Sequence, residues 1–356
     1  MNLINTCSLK RRWIFMQYRD FVRTGVRVSQ YALGGGVFGS LAGEEEGIRI
    51  IQKALDAGIN LIDTSNRYGD GESERIIGEA IKGRRDEVIL ATKFGAEPNG
   101  GRNQGGASRR WVRQAVEQSL QRLQTDYIDL YQLHRPFGDV AFEEILGVLS
   151  DLVQEGKIHY IGTSNHQAWQ LADAQAVSER RYLQRFVSEQ SPYSILNRSI
   201  EMDIAEVARH HDLALLTYSP LAGGLLTGKY ASGRAADSGS RAALLKGPVA
   251  RMLDPELPEN AQKFAVINQL QQVADQAGMT LAHMAVAFAR SHPAVTSIIV
   301  GPRTSEQLSQ YLTGADLTLS PDLLDAIDVI VPPGRKTDDQ DAAWTPEWLD
   351  ASRRRR

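Results

Sequence analysis

Residues 126–134 read Asp-Tyr-Ile-Asp-Leu-Tyr-Gln-Leu-His, an apolar run of strand length that leads into the polar residue His134. Six further segments have the same form, an apolar run followed by a polar residue or glycine. They are Leu61-Ile62 before Asp63, Val88-Ile89-Leu90-Ala91 before Lys93, Tyr160-Ile161-Gly162 before Ser164-Asn165, Phe186-Val187 before Gln190, Leu213-Ala214-Leu215-Leu216 before Tyr218, and Ile298-Ile299-Val300 before Gly301. Near-continuous apolar runs of this kind are typical of parallel strands that are buried on both faces.

The stretches between these runs have the spacing of amphipathic helices, with apolar residues every three or four positions. The patterned positions are Ile48, Ile51, Leu55; Val112, Val116, Leu120, Leu123; and Phe142, Ile145, Leu146, Leu149, Leu152, Val153. Ser108 is a suitable N-cap for the second helix. With a first strand near Ser29–Leu33, the chain contains eight units of strand followed by helix.

An α/β chain with this rhythm forms either a doubly wound sheet or a TIM barrel. Because most strands deliver a polar residue at their carboxyl ends, where a barrel has its functional residues, the pattern favours the barrel. We therefore predict a single-domain (β/α)8 TIM barrel over residues 16–331. Residues 1–15 are predicted to be a disordered N-terminal extension, and residues 332–356 a C-terminal tail.

The composition of the 356-residue chain excludes several classes of function. The net charge of −3 gives no electrostatic reason to expect nucleic acid or an anionic membrane as a partner. A single cysteine, Cys7, allows neither an internal disulfide nor a cysteine-rich metal site, which favours a cytoplasmic protein without a metal centre. No apolar run is long enough to predict a membrane-spanning helix.

One glycine motif resembles a dinucleotide-binding fingerprint, but the residues that follow it do not fit a Rossmann fold. Residues 34–39 match G-x-G-x-x-G, and Asp63 follows not far from the position of a ribose-binding acid. A Rossmann helix begins within the motif and directs its N-terminus at the pyrophosphate. Here the helix is predicted to start at Glu44-Glu45-Glu46, where three carboxylates would repel a diphosphate, so a barrel strand followed by a tight turn is preferred.

Four residues at three adjacent strand ends form a candidate catalytic group. Asp63 and Tyr68 follow the second strand, Lys93 the third and His134 the fourth. A tyrosine hydroxyl is a weak acid, and a nearby ammonium group favours its ionised form. Lys93 could act in this way on Tyr68, with Asp63 holding Lys93 and His134 orienting a carbonyl oxygen. The set is suited to protonating an oxyanion as it forms, with a cofactor as hydride donor.

In these four residues and in the order of its other motifs, the sequence resembles the aldo-keto reductase superfamily. The resemblance is carried by Leu61–Ser65 with Tyr68-Gly69, Ser73-Glu74 with Gly78, Ala91-Thr92-Lys93, Asp126–Tyr131 with His134, Gly156-Lys157-Ile158, Gly162–Asn165, Gln190, Tyr218–Leu221, and Gly301 with Arg303 and Gln307. It implies a TIM barrel, a catalytic tetrad at Asp63, Tyr68, Lys93 and His134, and NADPH as cofactor.

The resemblance also implies a set of cofactor contacts. Its members are Gly35, Gly36, Asp63, Ser164, Asn165, Gln190, Tyr218, Ser219, Pro220, Leu221, Gly223, Lys229, Arg241, Gly301, Arg303, Ser305 and Gln307. Ser164, Asn165 and Gln190 match the positions that hold the nicotinamide carboxamide, and Tyr218 matches the aromatic residue that stacks on its ring. Lys229 and Arg241 match cationic partners of the pyrophosphate.

The segment that opens with Gly301 favours NADP over NAD. Its backbone amides precede a helix and Arg303 is cationic, so both could receive the adenosine 2′-phosphate. Gln310 and Tyr311 depart from the Glu and Asn that many relatives carry near the adenine. Gly35 and Gly36 replace bulkier residues of relatives, which predicts more room near the nicotinamide or the substrate.

Three functions are compatible with these features. The first is reduction of an aldehyde or ketone with NADPH. The second, a narrower form of the first, is reduction of a sugar-nucleotide ketone in deoxysugar biosynthesis. The third is a nicotinamide-binding regulatory subunit similar to potassium-channel β subunits, which tend to lose the histidine that this chain keeps as His134. The substrate pocket is predicted to be shaped by Gly95–Ala107, Ala231–Glu259 and the tail with Trp344 and Trp348. The oligomeric state is not readable from the sequence.

Overall fold

The eight predicted strands close into a barrel. The computed structural model of the protein describes residues 16–95, 103–229, 251 and 253–337. Its strands are β1 (Tyr18–Asp20), β2 (Arg27–Ser29), β3 (Tyr31–Gly34), β4 (Leu61–Asp63), β5 (Ile89–Phe94), β6 (Ile128–Leu133), β7 (Ile158–Ser164), β8 (Phe186–Pro192), β9 (Ala214–Tyr218) and β10 (Val295–Val300). Strands β3 to β10 pair in parallel in chain order, and β10 pairs with β3. The predicted (β/α)8 barrel is confirmed, and the open doubly wound sheet is excluded.

Amphipathic helices surround the barrel, as the spacing of apolar residues predicts. They are α1 (Glu44–Asp56), α2 (Glu72–Ala80), α3 (Arg109–Leu123), α4 (Phe142–Gln154), α5 (Ala168–Arg181), α6 (Ile204–His210), α7 (Ala261–Gln276), α8 (Leu281–Ser291), α9 (Ser305–Thr313) and α10 (Pro321–Ile330). The Ser108 hydroxyl accepts a hydrogen bond from the Trp111 amide, which confirms the predicted cap of α3. Helix α1 begins at Glu44, beyond the glycine motif, so that motif is the tight turn after β3.

A short hairpin that the sequence did not reveal covers one end of the barrel. Strands β1 and β2 pair in antiparallel fashion ahead of β3. Their loop contributes Phe21 and β2 contributes Val28, and both are buried in a cluster with barrel-interior residues such as Ala32, Leu61 and Leu130. The hairpin therefore plugs the end of the barrel where the strands begin and leaves the carboxyl end of the strands for the site.

Helices α2 and α3 approach so closely that the contact requires glycine at position 78. A Cβ atom there would lie 2.6 Å from the carbonyl carbon and oxygen of Leu123, which belong to the backbone and cannot rotate away.

The first and last parts of the helical layer also meet, because the Lys53 ammonium on α1 donates to the Ser305 carbonyl and the Ser309 hydroxyl on α9. These contacts fix the two ends of the barrel chain against each other.

Several predicted features lie outside the described residues: the extension 1–15, Arg241, Trp344 and Trp348, and most of the loops Gly95–Ala107 and Ala231–Glu259. The first part of the predicted tail is described and packs on the barrel. The Arg198 amide donates to the Arg335 carbonyl, and the Thr337 amide donates to the Leu196 carbonyl. In the described part of the chain, none of the helices has the length and apolar character needed to cross a bilayer.

Candidate active site

The four predicted catalytic residues come together at the carboxyl end of the barrel. Asp63 is the last residue of β4, Lys93 lies near the end of β5, and His134 directly follows β6. Tyr68 begins a short 3-10 turn between β4 and α2. Because β4, β5 and β6 are neighbours in the barrel, three consecutive strand ends deliver these side chains to one place.

Lys93 and Asp63 form a buried ion pair. The Lys93 ammonium donates to Asp63 Oδ2 at 2.5 Å and to the Thr64 carbonyl at 2.9 Å, and neither side chain is more than 4% exposed. Burial alone would lower the pKa of Lys93. The Asp63 carboxylate and the Tyr68 hydroxyl outweigh it, so the pKa of Lys93 lies above its usual value. The lysine is therefore a fixed positive charge below the site.

The second oxygen of Asp63 is held by two side-chain amides. Gln132 Nε2 donates to Asp63 Oδ1 at 3.0 Å, and Gln190 Nε2 donates to the same atom at 2.8 Å. A buried carboxylate is stable only when its oxygens have partners. Asp63 is thus oriented from both sides and links the ion pair to Gln190 on β8.

Tyr68 lies beside the ammonium of Lys93, whose nitrogen is 5.2 Å from the centre of the phenol ring. The turn that carries it is unusual, because Gly69, Asp70 and Gly71 all have positive φ, at 57°, 54° and 96°. Glycine adopts the left-handed region readily, whereas a non-glycine residue such as Asp70 stays in it only where surrounding structure holds it. The tyrosine is therefore presented by a turn that needs support from its neighbours.

An ion pair between the buried Glu74 and the partly exposed Arg122 supplies that support. Glu74 is fully buried, accepts from the Thr92 hydroxyl at 2.6 Å and pairs with Arg122 at 2.7 Å. The Arg122 side chain packs against Gly71, where a Cβ atom would lie only 2.7 Å from Arg122 Cδ. This contact ties the Tyr68 turn to α3.

His134 is held next to Tyr68 in its neutral form. Its Nδ1 lies 3.1 Å from the Ser65 hydroxyl, and its ring is perpendicular to that of Tyr68 with centroids 5.8 Å apart. Burial, and then the positive charges of Lys93, Arg135 and Arg67, lower the pKa of His134 to about 3. A neutral imidazole has one N–H group, so a Ser65 hydroxyl that donates to Nδ1 leaves Nε2–H as the donor towards the cavity.

The four residues that the resemblance places at the nicotinamide also form one connected group. Tyr218 donates to Asn165 Oδ1 at 2.8 Å, and Asn165 Nδ2 donates to Ser164 Oγ at 2.9 Å. Ser164 Oγ donates in turn to the Gln190 carbonyl at 2.9 Å. Asn165 has a left-handed backbone, with φ of 62°. The group presents hydroxyl and amide functions beside the tetrad.

Glu189 is a buried neighbour of this group that sequence reasoning missed. Its carboxylate accepts from the hydroxyls of Thr163 at 2.6 Å and Ser191 at 2.9 Å, and from the His166 amide at 3.2 Å. Burial raises the pKa of Glu189 to about 7, although these hydrogen bonds oppose the shift. A glutamate inside a strand buried on both faces is unusual, and this was the signal available in the sequence.

A cavity of about 790 Å³ extends from the tetrad along the carboxyl end of the barrel. The candidate residues that line it are Gly36, Asp63, Tyr68, His134, Ser164, Asn165, Gln190, Tyr218, Ser219, Pro220, Leu221, Gly223, Lys229, Gly301, Arg303 and Gln307. Lys93 lies beneath the surface of the cavity, and Gly35 and Ser305 do not line it. Most of the predicted site residues therefore line one continuous cavity. Gly35 and Ser305 do not line it because each packs against other residues.

The extra room expected at Gly35 is absent, because this glycine faces the wall. A Cβ atom there would lie 2.7 Å from Ser73 Oγ and 3.2 Å from Thr64 Oγ1. Gly36 does face the cavity, with the Tyr68 ring 3.7 Å from the position of its Cβ. Ser305 is engaged elsewhere, since its amide and hydroxyl both donate to Glu46 Oε1, at 2.7 and 3.0 Å.

An unusual loop and two cations also line the cavity. Ser219, Ala222, Gly223 and Gly224 have φ values of 58°, 47°, 68° and 114°, so the chain after β9 turns sharply. Lys229 follows this loop, and Arg303, whose amide donates to Gln307 Oε1 at 2.8 Å, also lines the cavity. Gln310 and Tyr311 also line the cavity.

Known proteins of similar sequence identify the family of this chain. The model of the aldo/keto reductase family matches residues 32–332. The chain belongs to this family. Similar proteins include an uncharacterized oxidoreductase, YrpG, from Bacillus subtilis, which is 37% identical and aligned over 90% of this chain and 98% of its own length. A probable voltage-gated potassium channel subunit beta from Oryza sativa is 33% identical over 89% and 97% of the two chains. Versiconal hemiacetal acetate reductase from Aspergillus parasiticus is 30% identical over 86% and 94%.

Proposed function

We propose that this aldo/keto reductase reduces an aldehyde or ketone to the alcohol with NADPH, and that Tyr68 is the general acid. The observation that carries the proposal is the buried charge of Lys93, held between the Asp63 carboxylate and the Tyr68 ring at the cavity. An ammonium at this place stabilises a tyrosinate. It therefore assists transfer of the phenolic proton to an oxyanion, where electrostatic preorganisation has its largest effect.

The donor groups along the cavity fit a nicotinamide cofactor, which when bound supplies a hydride for carbonyl reduction. Ser164, Asn165 and Gln190 offer the hydroxyl and amide groups that a carboxamide needs. Lys229 and Arg303 offer cations for phosphate groups, and Arg303 is the group we assign to the 2′-phosphate that distinguishes NADPH from NADH.

Each tetrad residue has a separate task in this proposal. His134, neutral at physiological pH, donates from Nε2 to the substrate oxygen and orients the carbonyl. Tyr68 transfers its hydroxyl proton to that oxygen as the alcohol forms and regains a proton from water. Lys93 stabilises the negative charge left on Tyr68, and Asp63 fixes Lys93 in place. Gln132 and Gln190 act through Asp63 and are positioning residues in this respect.

The second candidate function is a nicotinamide-binding regulatory subunit. It is favoured by the similarity to the probable channel subunit from Oryza sativa. The two functions differ in turnover. The test uses a panel of aldehydes and ketones that includes a sugar-nucleotide ketone. The enzyme is expected to oxidise NADPH with at least one of these compounds, and to oxidise NADH less efficiently with the same compound. Tight binding of NADPH without oxidation by any compound would instead support the regulatory function.

A further inference from the structure

The charges along the cavity leave one cation without a task in the proposed reaction. Apart from histidines, the described charged residues that line the cavity are Asp63, Arg135, Lys229 and Arg303. Asp63 is neutralised by Lys93. Lys229 and Arg303 lie in the part of the cavity proposed for the cofactor phosphates. Arg135 directly follows the tetrad residue His134.

Arg135 is exposed and forms no ion pair with any carboxylate in the described ranges. Several arginines elsewhere on the barrel are paired, for example Arg75 with Glu44 and Glu72, and Arg84 with Asp56 and Glu87. An arginine fork with no partner at a cavity is suited to bind a carboxylate or phosphate of a ligand in a bidentate way.

The backbone holds Arg135 next to the reacting groups. The His134 amide donates to the Phe94 carbonyl at 2.8 Å, and the His134 carbonyl accepts from Asn165 Nδ2 at 3.3 Å. Pro136 restricts the backbone of Arg135 from the other side. The positive charge of Arg135 reaches both His134 and Tyr218, where it acts on each pKa in addition to the larger effect of burial.

We propose that Arg135 is a specificity-determining residue that selects carbonyl substrates carrying an anionic group, a carboxylate or a phosphate. This inference rests on the proposed function, because the carbonyl oxygen must reach Tyr68 and His134 while the anionic group reaches Arg135. A neutral analogue lacks the charge-assisted hydrogen bonds at Arg135 and leaves the guanidinium with water only.

Matched pairs of aldehydes test this selection at fixed NADPH. 4-Carboxybenzaldehyde is compared with its methyl ester, and glyceraldehyde 3-phosphate with glyceraldehyde. We expect kcat/KM for at least one anionic compound to exceed that of its neutral partner by roughly 10-fold, with a smaller ratio at high salt. The pair with the larger ratio identifies carboxylate or phosphate as the preferred group.

Variants assign the preference to its residue. Arg135→Gln should bring the ratio close to one, Arg135→Lys should keep part of it, and Arg110→Gln, a change at an exposed arginine on α3, should leave it as in the wild type. A wild-type ratio near one for both pairs, or a ratio that Arg135→Gln preserves, would overturn the inference.

The outcome is separable from failure of the proposed function. If no aldehyde is reduced, the reductase proposal fails. Selection is then read by calorimetric binding of 4-carboxybenzyl alcohol and its methyl ester to protein saturated with NADP⁺. Equal affinity of the two compounds for the wild type would overturn the role of Arg135. Tighter binding of the acid, lost in Arg135→Gln, would support it.

Discussion

Replacement of Glu189 by glutamine should change how the stability of the barrel depends on pH. Burial raises the pKa of Glu189 from 4.5 to about 7. Between these values the folded protein holds a proton that the unfolded chain has lost, so the free energy of unfolding falls as the pH rises. At about 1.4 kcal/mol per pH unit, the whole shift corresponds to about 3 kcal/mol. The cost is complete once the pH exceeds the folded pKa.

Glutamine at this position has no proton to lose. Its carbonyl can still accept from Ser191 and from the His166 amide, and its amide can donate to Thr163, whose hydroxyl also contacts the Ser188 carbonyl at 3.2 Å. The variant should therefore fold. Relative to the wild type, it should gain about 3 kcal/mol between pH 4.5 and pH 8.

Urea denaturation at pH 4.5, 5.5, 6.5 and 8 measures this difference, with the two proteins compared at each pH. Glu179→Gln on α5 is the control, because Glu179 is exposed and its replacement should leave the curve parallel to that of the wild type. Parallel curves for Glu189→Gln as well would show that Glu189 titrates alike in the folded and unfolded chains, contrary to this prediction.

Three further predictions concern the site and its supports. Because the pKa of His134 is lowered to about 3, kcat/KM between pH 5 and 8 should show no inflection near 6.5, and an inflection that disappears in His134→Asn would contradict this. Gly78→Ala should destabilise the fold by about 1–3 kcal/mol in thermal melts through overlap with Leu123, whereas Gly138→Ala, where the new Cβ meets nothing within 4 Å, should not. Arg303→Ala should raise KM for NADPH far more than for NADH, and an equal rise for both would remove Arg303 from the 2′-phosphate site.

The barrel and the tetrad could be predicted from the sequence because both depend on local patterns. Each apolar run lies in or against a barrel strand, and closure of a parallel barrel brings neighbouring strand ends together wherever the pattern is regular. Asp63, Lys93 and His134 lie close together because they stand at the ends of three neighbouring strands. Their spacing relative to the strands was enough to place them.

Features that depend on contacts between distant residues could not be predicted in this way. The capture of Ser305 by Glu46 joins residues 259 positions apart, and no local pattern marks it. The hairpin that buries Phe21 and Val28 has strands of three residues, too short to show alternation. The sequence also could not show that Gly35 faces the wall and not the cavity, because this depends on how Ser73 packs against it.

Tyr68→Phe removes the hydroxyl that we propose as the proton donor to the substrate oxygen. NADPH oxidation with the best aldehyde of the panel gives kcat, and a fluorescence titration gives the Kd for NADPH. Tyr182→Phe, at a tyrosine that is 97% exposed, is the control. We predict a loss in kcat of roughly 10²- to 10⁴-fold for Tyr68→Phe with little change in Kd. Turnover equal to that of the Tyr182→Phe control would show that Tyr68 is not the proton donor.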